Sequence, residues 1–530
     1  MSDSPTYAPF TVSQAPTAMV SSVDQLASAA GLRALLAGGS AVDAAVAANA
    51  VLSVTLPNQC GLGGDLFALV HRSGEDPVAL NASGRAGSGA DPAALRADGH
   101  QVMPFRRHLG SVTVPGCVDG WLALHERFGR LDLPAVLAAA IGYARDGFPA
   151  SPFLAGAVTG AAEDIRQEMA AEGGLAIGQR VRRPDNARLL ETIAAVGRAG
   201  FYLGEFGEAL VRLGAGQFTE ADLRVDNADW VTPLSVRAWG RDVWTVPPGS
   251  QGYLTLSAAW MADQIGLPED PADPLWAHLL IEATRQAAYD RLDALHDGAN
   301  GPELLSPDRL GPRVARIDPE RAGRLRPPAA RGGTTYLCAV DGDGMAVSLM
   351  QSNAMGFGSE LVVPGTGVFL HNRGIGFNLS DGHPAEYGPR RRPPHTLAPV
   401  LVTETGRQLA AVLGTRGGDA QPQVVLQLLA LLLNAGRDAA DAVAAGRWML
   451  AHPGGGTGFE TWAAGGEVRV GVEEHAPPAW AEGLTRRGHA VEVRGPFAHE
   501  FGHAQAIVRR AGGLEGAADP RSLAGAAIGF

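Results

Sequence analysis

The stretch RGGTTYLCAVDGDGMAVSLMQSN, Arg331 to Asn353, constrains the fold more than any other part of the chain. Two apolar runs of strand length, Thr335 to Val340 and Met345 to Met350, flank Asp341-Gly342-Asp343-Gly344, and such a turn between such runs predicts a β-hairpin. With Gly342-Asp343 as the two-residue loop, Val340 faces Met345 and Thr334 faces Gln351. A shift of one residue makes Thr334 face Asn353. Either register sets Gln351, Ser352 and Asn353 beside Thr334, so hydroxyl and amide side chains gather around one threonine at the end of a sheet.

The chain has 530 residues, 46% of them hydrophobic, which is ample for a large core and too long for one small domain. Lys plus Arg is 43 against Asp plus Glu 55, a net charge of −12, and no basic run appears, so nucleic acid is not an expected partner. The longest apolar run, Val424 to Leu433, is far short of the roughly 18–20 residues that span a bilayer. The opening MSDSPTYAPFTVSQAP has neither a basic start nor an apolar core of the signal-peptide kind. Cys60, Cys117 and Cys338 are odd in number and lack pairing spacing, which fits free thiols in a reducing compartment. The expected location is cytoplasmic. Glycines are dispersed among apolar segments, with no solenoid, collagen or heptad repeat.

Along the chain, residues 20–56 predict two helices, the first capped by Asp24 and ended by Gly38-Gly39, the second capped by Ser40 and apolar nearly all round. Gly61 to Asp65 and a strand from Leu66 to His71 follow, with another strand near Val78 to Leu80. Further helices are expected over 118–150 and 275–296. Residues 324–333, RLRPPAARGG, have no apolar period and read as an exposed loop or linker. Beyond them come short strands at Thr335 to Val340, Met345 to Met350, Leu361 to Val363 and Gly367 to His371. A basic, Pro-rich loop (Tyr387 to His395), a strand pair around Leu401 and Ala411, and a helix from Pro422 to Asn434 complete the pattern. This order fits two domains, or one layered α/β body interrupted at 333.

A threonine hydroxyl is a poor nucleophile without an adjacent base, and no histidine is near Thr334 in sequence. Were the bond before Thr334 cut, its own α-amine, with an unperturbed pKa near 8, would serve. Gly332-Gly333 suits such a cut, since glycine tolerates the backbone that exposes the scissile carbonyl.

The segment TTYLCAVDGDGMAVSLMQSNAMGFGS resembles the start of the small subunit of γ-glutamyltranspeptidases, which are N-terminal nucleophile hydrolases. The similarity spans nearly the whole chain: residues 19–67, GSVTVPGCVDGW (110–121), VPPGSQGYLTL (246–256), RRPPHTLAPVLV (391–402), GTRGGDAQPQ (414–423) and ADPRSL (518–523) also fit. The resemblance implies an α+β, four-layer αββα sandwich built from both halves of one autocleaved chain. Thr334 attacks the Gly333–Thr334 bond, giving a large subunit 1–333 and a small subunit 334–530 that together form one structural domain. The freed Thr334 then attacks a substrate amide, and water or an acceptor amine resolves the acyl-enzyme. No cofactor is implied. The partners implied are a small-molecule amide substrate and the two subunits, with a homo-oligomer of the pair left open. Ser352 falls at the position of the hydroxyl partner of the nucleophile, and Gly417-Gly418 match the glycine pair whose N–H groups face the oxyanion.

The sequence departs from the family at the acyl pocket. Ala354 stands where the family has an asparagine that holds the substrate α-amine. FLHNRGIGF, Phe369 to Phe377, keeps Asn372 but puts Arg373 for a glutamine and Gly376 for an acid. His395-Thr396 replace the serine pair for the α-carboxylate, and the family's arginine is matched only by the displaced Arg85. Asn353, beside Ser352, joins the candidate substrate contacts Arg85, Asn372, Arg373, His395 and Thr396. An ammonium loses its partner and meets Arg373 instead. The expected acyl group therefore lacks the α-amine and carries a carboxylate for Arg373 or Arg85, as in the cephalosporin-acylase-like and oxamate-amidohydrolase-like branch. Glutathione-like γ-glutamyl compounds remain the alternative substrates.

Rival signals are few. His499-Glu-Phe-Gly-His503 spells HExxH, but the zinc-protease reading needs a helix, and Gly502, Pro496 and the strand-like AQAIVRR oppose one, so no metal site is expected there. Gly61-Leu-Gly-Gly64 precedes a strand instead of opening a helix, the wrong order for a dinucleotide site. Arg390-Arg391-Arg392 reads as a solvated loop. A non-catalytic alternative is an unprocessed binding member of the family.

Overall fold

Alternation along the strands decides the layering. In the strand Gly333–Val340, Tyr336, Cys338 and Val340 face one way, and Leu337 and Ala339 face the other. The first set meets Phe67 and Met350 of its own sheet and Leu401, Val412 and Ile507 of a second sheet in an apolar layer between the two. The other set packs under helices. The second sheet repeats the pattern: Leu401 and Ile507 point into the shared layer, while Val400, Val402, Ala506 and Val508 meet helices on the outside. The result is a four-layer αββα sandwich of the N-terminal nucleophile hydrolase type, as expected. The computed structural model describes residues 12–169, 171, 173–323, 333–451 and 468–530.

One seven-stranded sheet runs Ser13–Ala15, Gly513–Ala518, Ala504–Arg510, Leu409–Thr415, Val400–Thr403, Arg241–Thr245, Leu234–Ala238. The other runs Ala526–Gly529, Met19–Ser22, Gly333–Val340, Ala346–Ala354, Asp65–His71, Val78–Ala82, Asp229–Val231. Each draws strands from both sides of residue 333. The strand that begins at Gly333 is interior, paired antiparallel with Met19–Ser22 and with Ala346–Ala354.

The hairpin register falls between the two expected ones. Thr335 faces Gln351 and Val340 faces Ala346, with an irregularity between Gly333 and Thr335. The physical reason is Asp341. Its N–H donates to Met345 O at 3.0 Å, and its carboxylate accepts the Asp343 and Met345 N–H groups at 3.0 Å each. This makes a three-residue loop, Gly342–Gly344, in place of two.

Two helices begin where the sequence caps them. Asp24 accepts from Leu26 N at 2.8 Å to open Gln25–Leu36, and Ser40 with Asp43 forms a capping box that opens Ala41–Thr55, every residue of which is buried. The helical region 118–150 resolves into Cys117–Phe128 and Leu133–Asp146, each closed by glycine, and 275–296 into Pro274–Ala288 and Arg291–Ala294. The helix at 422–434 is Gln421–Leu429 followed by a wide π-type turn, Ala430–Asn434. The linker expected over 324–333 lies outside the described residues, except for Gly333. No described helix is long and apolar enough to cross a membrane.

Candidate active site

The end of the strand Ala346–Ala354 is clamped by the loop that precedes the strand Asp65–His71. Gln351 Nε2 donates to Gly61 O at 2.6 Å, Asn353 N to Gln59 O at 2.9 Å and Asn353 Nδ2 to Pro57 O at 3.0 Å. A Cβ on Gly64 would lie 2.5 Å from the Ser352 carbonyl oxygen, so only glycine permits this approach. The GLGG motif is thus a close-packing turn, and it fixes where Ser352 sits.

Thr334 is buried, and its Oγ1 donates to Ser352 Oγ at 3.2 Å. Ser352 Oγ also receives the Ala354 N–H at 2.8 Å and Arg373 Nη2 at 3.2 Å. Thr334 N donates to Gln59 Oε1 at 3.1 Å. Thr334 and Gln59 line a small cleft, with room for about one water molecule, together with Asp24, Ser151, Phe153 and His503.

Arg373 is 2% exposed. Besides Ser352 it donates through Nη1 to Thr396 Oγ1 at 3.0 Å. Its Nε is buried with no partner, and no described carboxylate pairs with it. Burial lowers its pKa to about 10, partly offset by Asp65 and Asp419, so it is still a cation at neutral pH. The structure therefore brings Thr334, Ser352, Arg373 and Thr396 into one hydrogen-bonded chain.

Asp65 stands behind this chain. His395 Nδ1 accepts the Leu397 N–H at 3.3 Å, so its Nε2 carries the proton that goes to Asp65 Oδ2 at 3.2 Å. His371 Nδ1 accepts the Arg373 N–H at 3.2 Å, and its Nε2 donates to Thr113 O at 3.0 Å. Burial pushes the His395 pKa down to about 3, with Arg373 adding to the effect, so this imidazole is neutral. Burial also opposes the Asp65 charge, yet its carboxyl is held well below the usual range by the flanking His371 and His395 and the Gly84 N–H. Asp65 is thus a buried anion beside His371 and His395, and its charge acts on Arg373.

The other predicted residues divide. Gly417 and Gly418 take φ of 140° and 54°, backbone that side-chain-bearing residues rarely adopt, at the turn between the strand Leu409–Thr415 and the helix Gln421–Leu429. No described protein acceptor takes either N–H. Gln251 Nε2 ties the pair to the pocket, bonding Gly418 O at 2.7 Å and Thr396 O at 3.0 Å. Asn372 acts on backbone: Oδ1 accepts Met355 N at 3.1 Å and Nδ2 donates to Phe105 O at 2.9 Å. Asn353 likewise holds the Pro57 loop. Arg85 is not brought to Thr334; it engages Asp229 at 3.2 Å and Asn227 at 3.3 Å, and Arg392 shares Asp229 at 2.7 Å. Of the two arginines, Arg373 and not Arg85 contacts Ser352, the hydroxyl partner of Thr334.

The HExxH motif has no helix. His499–Phe501 is a single 3-10 turn, Gly502 takes φ 90°, and His503 packs edge-on against Phe153 at 5.4 Å between ring centres. Among the described residues, metal-ligand geometry occurs at His278, Glu282 and His489. There His489 and His278 hydrogen-bond each other at 2.8 Å, His278 Nε2 donates to Asp318 O, and Arg285 meets Glu282 at 3.3 Å, while His489 Nδ1 is buried without a partner. The three cysteines are free and buried, and burial pushes the Cys60 thiol up to about 12, which leaves it a poor nucleophile.

Sequence reasoning missed Gln59, Asp65, His371 and Arg416. Arg416 Nη1 donates to Gln59 Oε1 at 2.9 Å, which places it beside Thr334 N.

Residues 27–529 match the family model for gamma-glutamyltranspeptidase. The oxamate amidohydrolase proenzyme of Klebsiella pneumoniae is 34% identical over 526 residues, covering 95% of this chain and 97% of that protein. The glutathione hydrolase-like YwrD proenzyme of Bacillus subtilis is 34% identical over 537 residues, covering 97% and 98%. The crystal structure of cephalosporin acylase from Bacillus halodurans superposes with a TM-score of 0.89 at 32% identity, over 100% of this chain and 99% of that one.

Proposed function

Because the chain belongs to the gamma-glutamyltranspeptidase family and is a hydrolase of that family, we propose that it is cut between Gly333 and Thr334 and hydrolyses amides whose acyl part has a free carboxylate and no α-amine. Thr334 Oγ adds to the amide carbonyl while its proton passes to the Thr334 α-amine. The Gly417 and Gly418 N–H groups receive the oxyanion; removing one such donor typically costs about 2.7–4 kcal/mol of barrier. Collapse expels the amine, which takes up the proton, and leaves an ester on Thr334. Water then adds to the ester, releasing the acid and the free hydroxyl.

Arg373 carries the reading. It is a buried cation whose nearest partners are two neutral hydroxyls, on Ser352 and Thr396. A substrate ammonium placed there meets like charge, whereas a carboxylate gains a planar donor fork. The similarity to an oxamate amidohydrolase supports the same reading, since oxamate bears a carboxylate on its amide carbon and no α-amine.

Two measurements test it. Intact mass should give chains of 333 and 197 residues (530 − 333 = 197); a persistent 54.8 kDa chain would instead favour the unprocessed binding member. On the processed protein, glutaryl-p-nitroanilide should be hydrolysed faster than γ-glutamyl-p-nitroanilide, and Arg373→Gln should lower kcat/KM for the glutaryl compound about thirtyfold or more, the loss of about 2 kcal/mol or more expected for a buried charge partner. Much faster turnover of the γ-glutamyl compound would sink the proposal.

A further inference from the structure

The backbone nitrogen of Thr334 becomes the α-amine once Gly333 is cut away, and this inference rests on that cleavage. The nitrogen lies 3.1 Å from Gln59 Oε1, and Arg416 Nη1 lies 2.9 Å from the same oxygen. A guanidinium only donates, so the Gln59 atom that faces it is the oxygen, and Nε2 turns to Asn58 O at 2.8 Å. Arg416 thereby fixes the orientation of the carboxamide. Oε1 accepts from the Thr334 nitrogen and leaves that nitrogen's lone pair for the hydroxyl of the same residue.

Arg416 is itself locked in place. It is 7% exposed, its Nη2 donates to His499 O at 3.1 Å, its N–H to His503 O at 3.4 Å, and its guanidinium lies 5.1 Å above the Phe153 ring. The carbonyls of the HExxH segment are thus what hold Arg416. No described carboxylate pairs with it; Asp519 and Glu500 act only at longer range. The other titratable groups at this corner are Asp24, Cys60, His503 and, across Ser352, Arg373. Asp24 is turned to the Leu26 N–H at 2.8 Å, Cys60 is a thiol, and burial with Arg416 beside it keeps His503 neutral. A cation therefore stands one carboxamide away from the amine, and a like charge disfavours the ammonium form.

We propose that Arg416, acting through Gln59, is a positioning residue that orients the Thr334 α-amine and keeps it unprotonated at neutral pH, ready to act as the base. An amine must be unprotonated to accept the hydroxyl proton, so activity rises as pH rises through its pKa.

The sequence contains no lysine, so after cleavage the Thr334 α-amine is the sole primary amine of the 197-residue chain. Trace acetylation with acetic anhydride at varied pH, read by mass on that chain, reports the unprotonated fraction directly. The wild-type amine should titrate about one unit below the unperturbed value near 8. Arg416→Met and Gln59→Glu should each raise the midpoint by about one unit and move the acid limb of kcat/KM upward with it, a loss of about tenfold on that limb. Arg416→Lys, which keeps the charge, should restore the limb. A processed wild type whose amine titrates at 8 or above overturns the inference without help from any variant, as does an Arg416→Met limb that stays in place. Absence of a 197-residue chain in the wild type overturns the cleavage reading, and this inference with it.

Discussion

Thr334 Oγ1 and Ser352 Oγ meet at 3.2 Å because they lie near the same end of two paired strands, 18 residues apart in sequence. That contact was legible: an acidic glycine turn and two apolar runs set the register to within one residue. Arg373 and Thr396 depart from the family pattern in sequence, and in the structure they form one hydrogen-bonded chain with Ser352. Gln59 and Arg416 were not legible. They are separated from Thr334 or from each other by 275 and 357 residues, and nothing in PNQC or GTRGG announces that one carboxamide oxygen serves both partners. At this scale, Thr334→Ala should leave a single 54.8 kDa chain on denaturing gels, whereas Thr334→Ser should still be cut. Ser352→Ala leaves the Arg373 Nη2 and the Ala354 N–H without their acceptor, about 1–3 kcal/mol for a buried group, and should slow cleavage about tenfold or more. Cleavage of Ser352→Ala at the wild-type rate would show that this hydroxyl plays no part.

Strands and helices followed the sequence most closely where capping and alternation are local. Asp24 and Ser40 open their helices, and Tyr336, Cys338 and Val340 fall on one face as period two requires. The misses have local causes of another kind. Asp341 lengthens the hairpin loop by accepting two backbone N–H groups, and an apolar stretch without glycine or proline carries no sign of its π-type end at Ala430–Asn434. The Gly61–Gly64 turn shows how an element sets chemistry from a distance: its close approach to the Ser352 carbonyl fixes the strand end that carries the hydroxyl. Gly64→Ala introduces a Cβ 2.5 Å from that oxygen. It should destabilise the protein by about 1–3 kcal/mol, seen as a lower urea midpoint, and reduce activity through displacement of Ser352. An unchanged midpoint would mean that the turn has slack that its geometry does not show.

The sheet that contains Thr334 is assembled from segments spread over almost the entire chain. Ala526–Gly529 pairs with Met19–Ser22, which in turn pairs with the strand that begins at Gly333. Contacts so far apart in sequence form slowly, because the closure entropy of a long loop precedes any gain from pairing. Removing residues 526–530 strips one edge from Met19–Ser22, and cleavage of the truncated chain should fall below detection while the full chain is cut. Cutting at an undiminished rate would show that this edge is dispensable. Both sheets also mix strands from before and after residue 333, so the two products should stay together on a sizing column until denaturant is added. The topology would therefore act as a clock for the proposed cleavage: Thr334 exists from the moment it is synthesised, but residues nearly two hundred positions later complete the sheet that holds it, so scission there would wait for the finished fold.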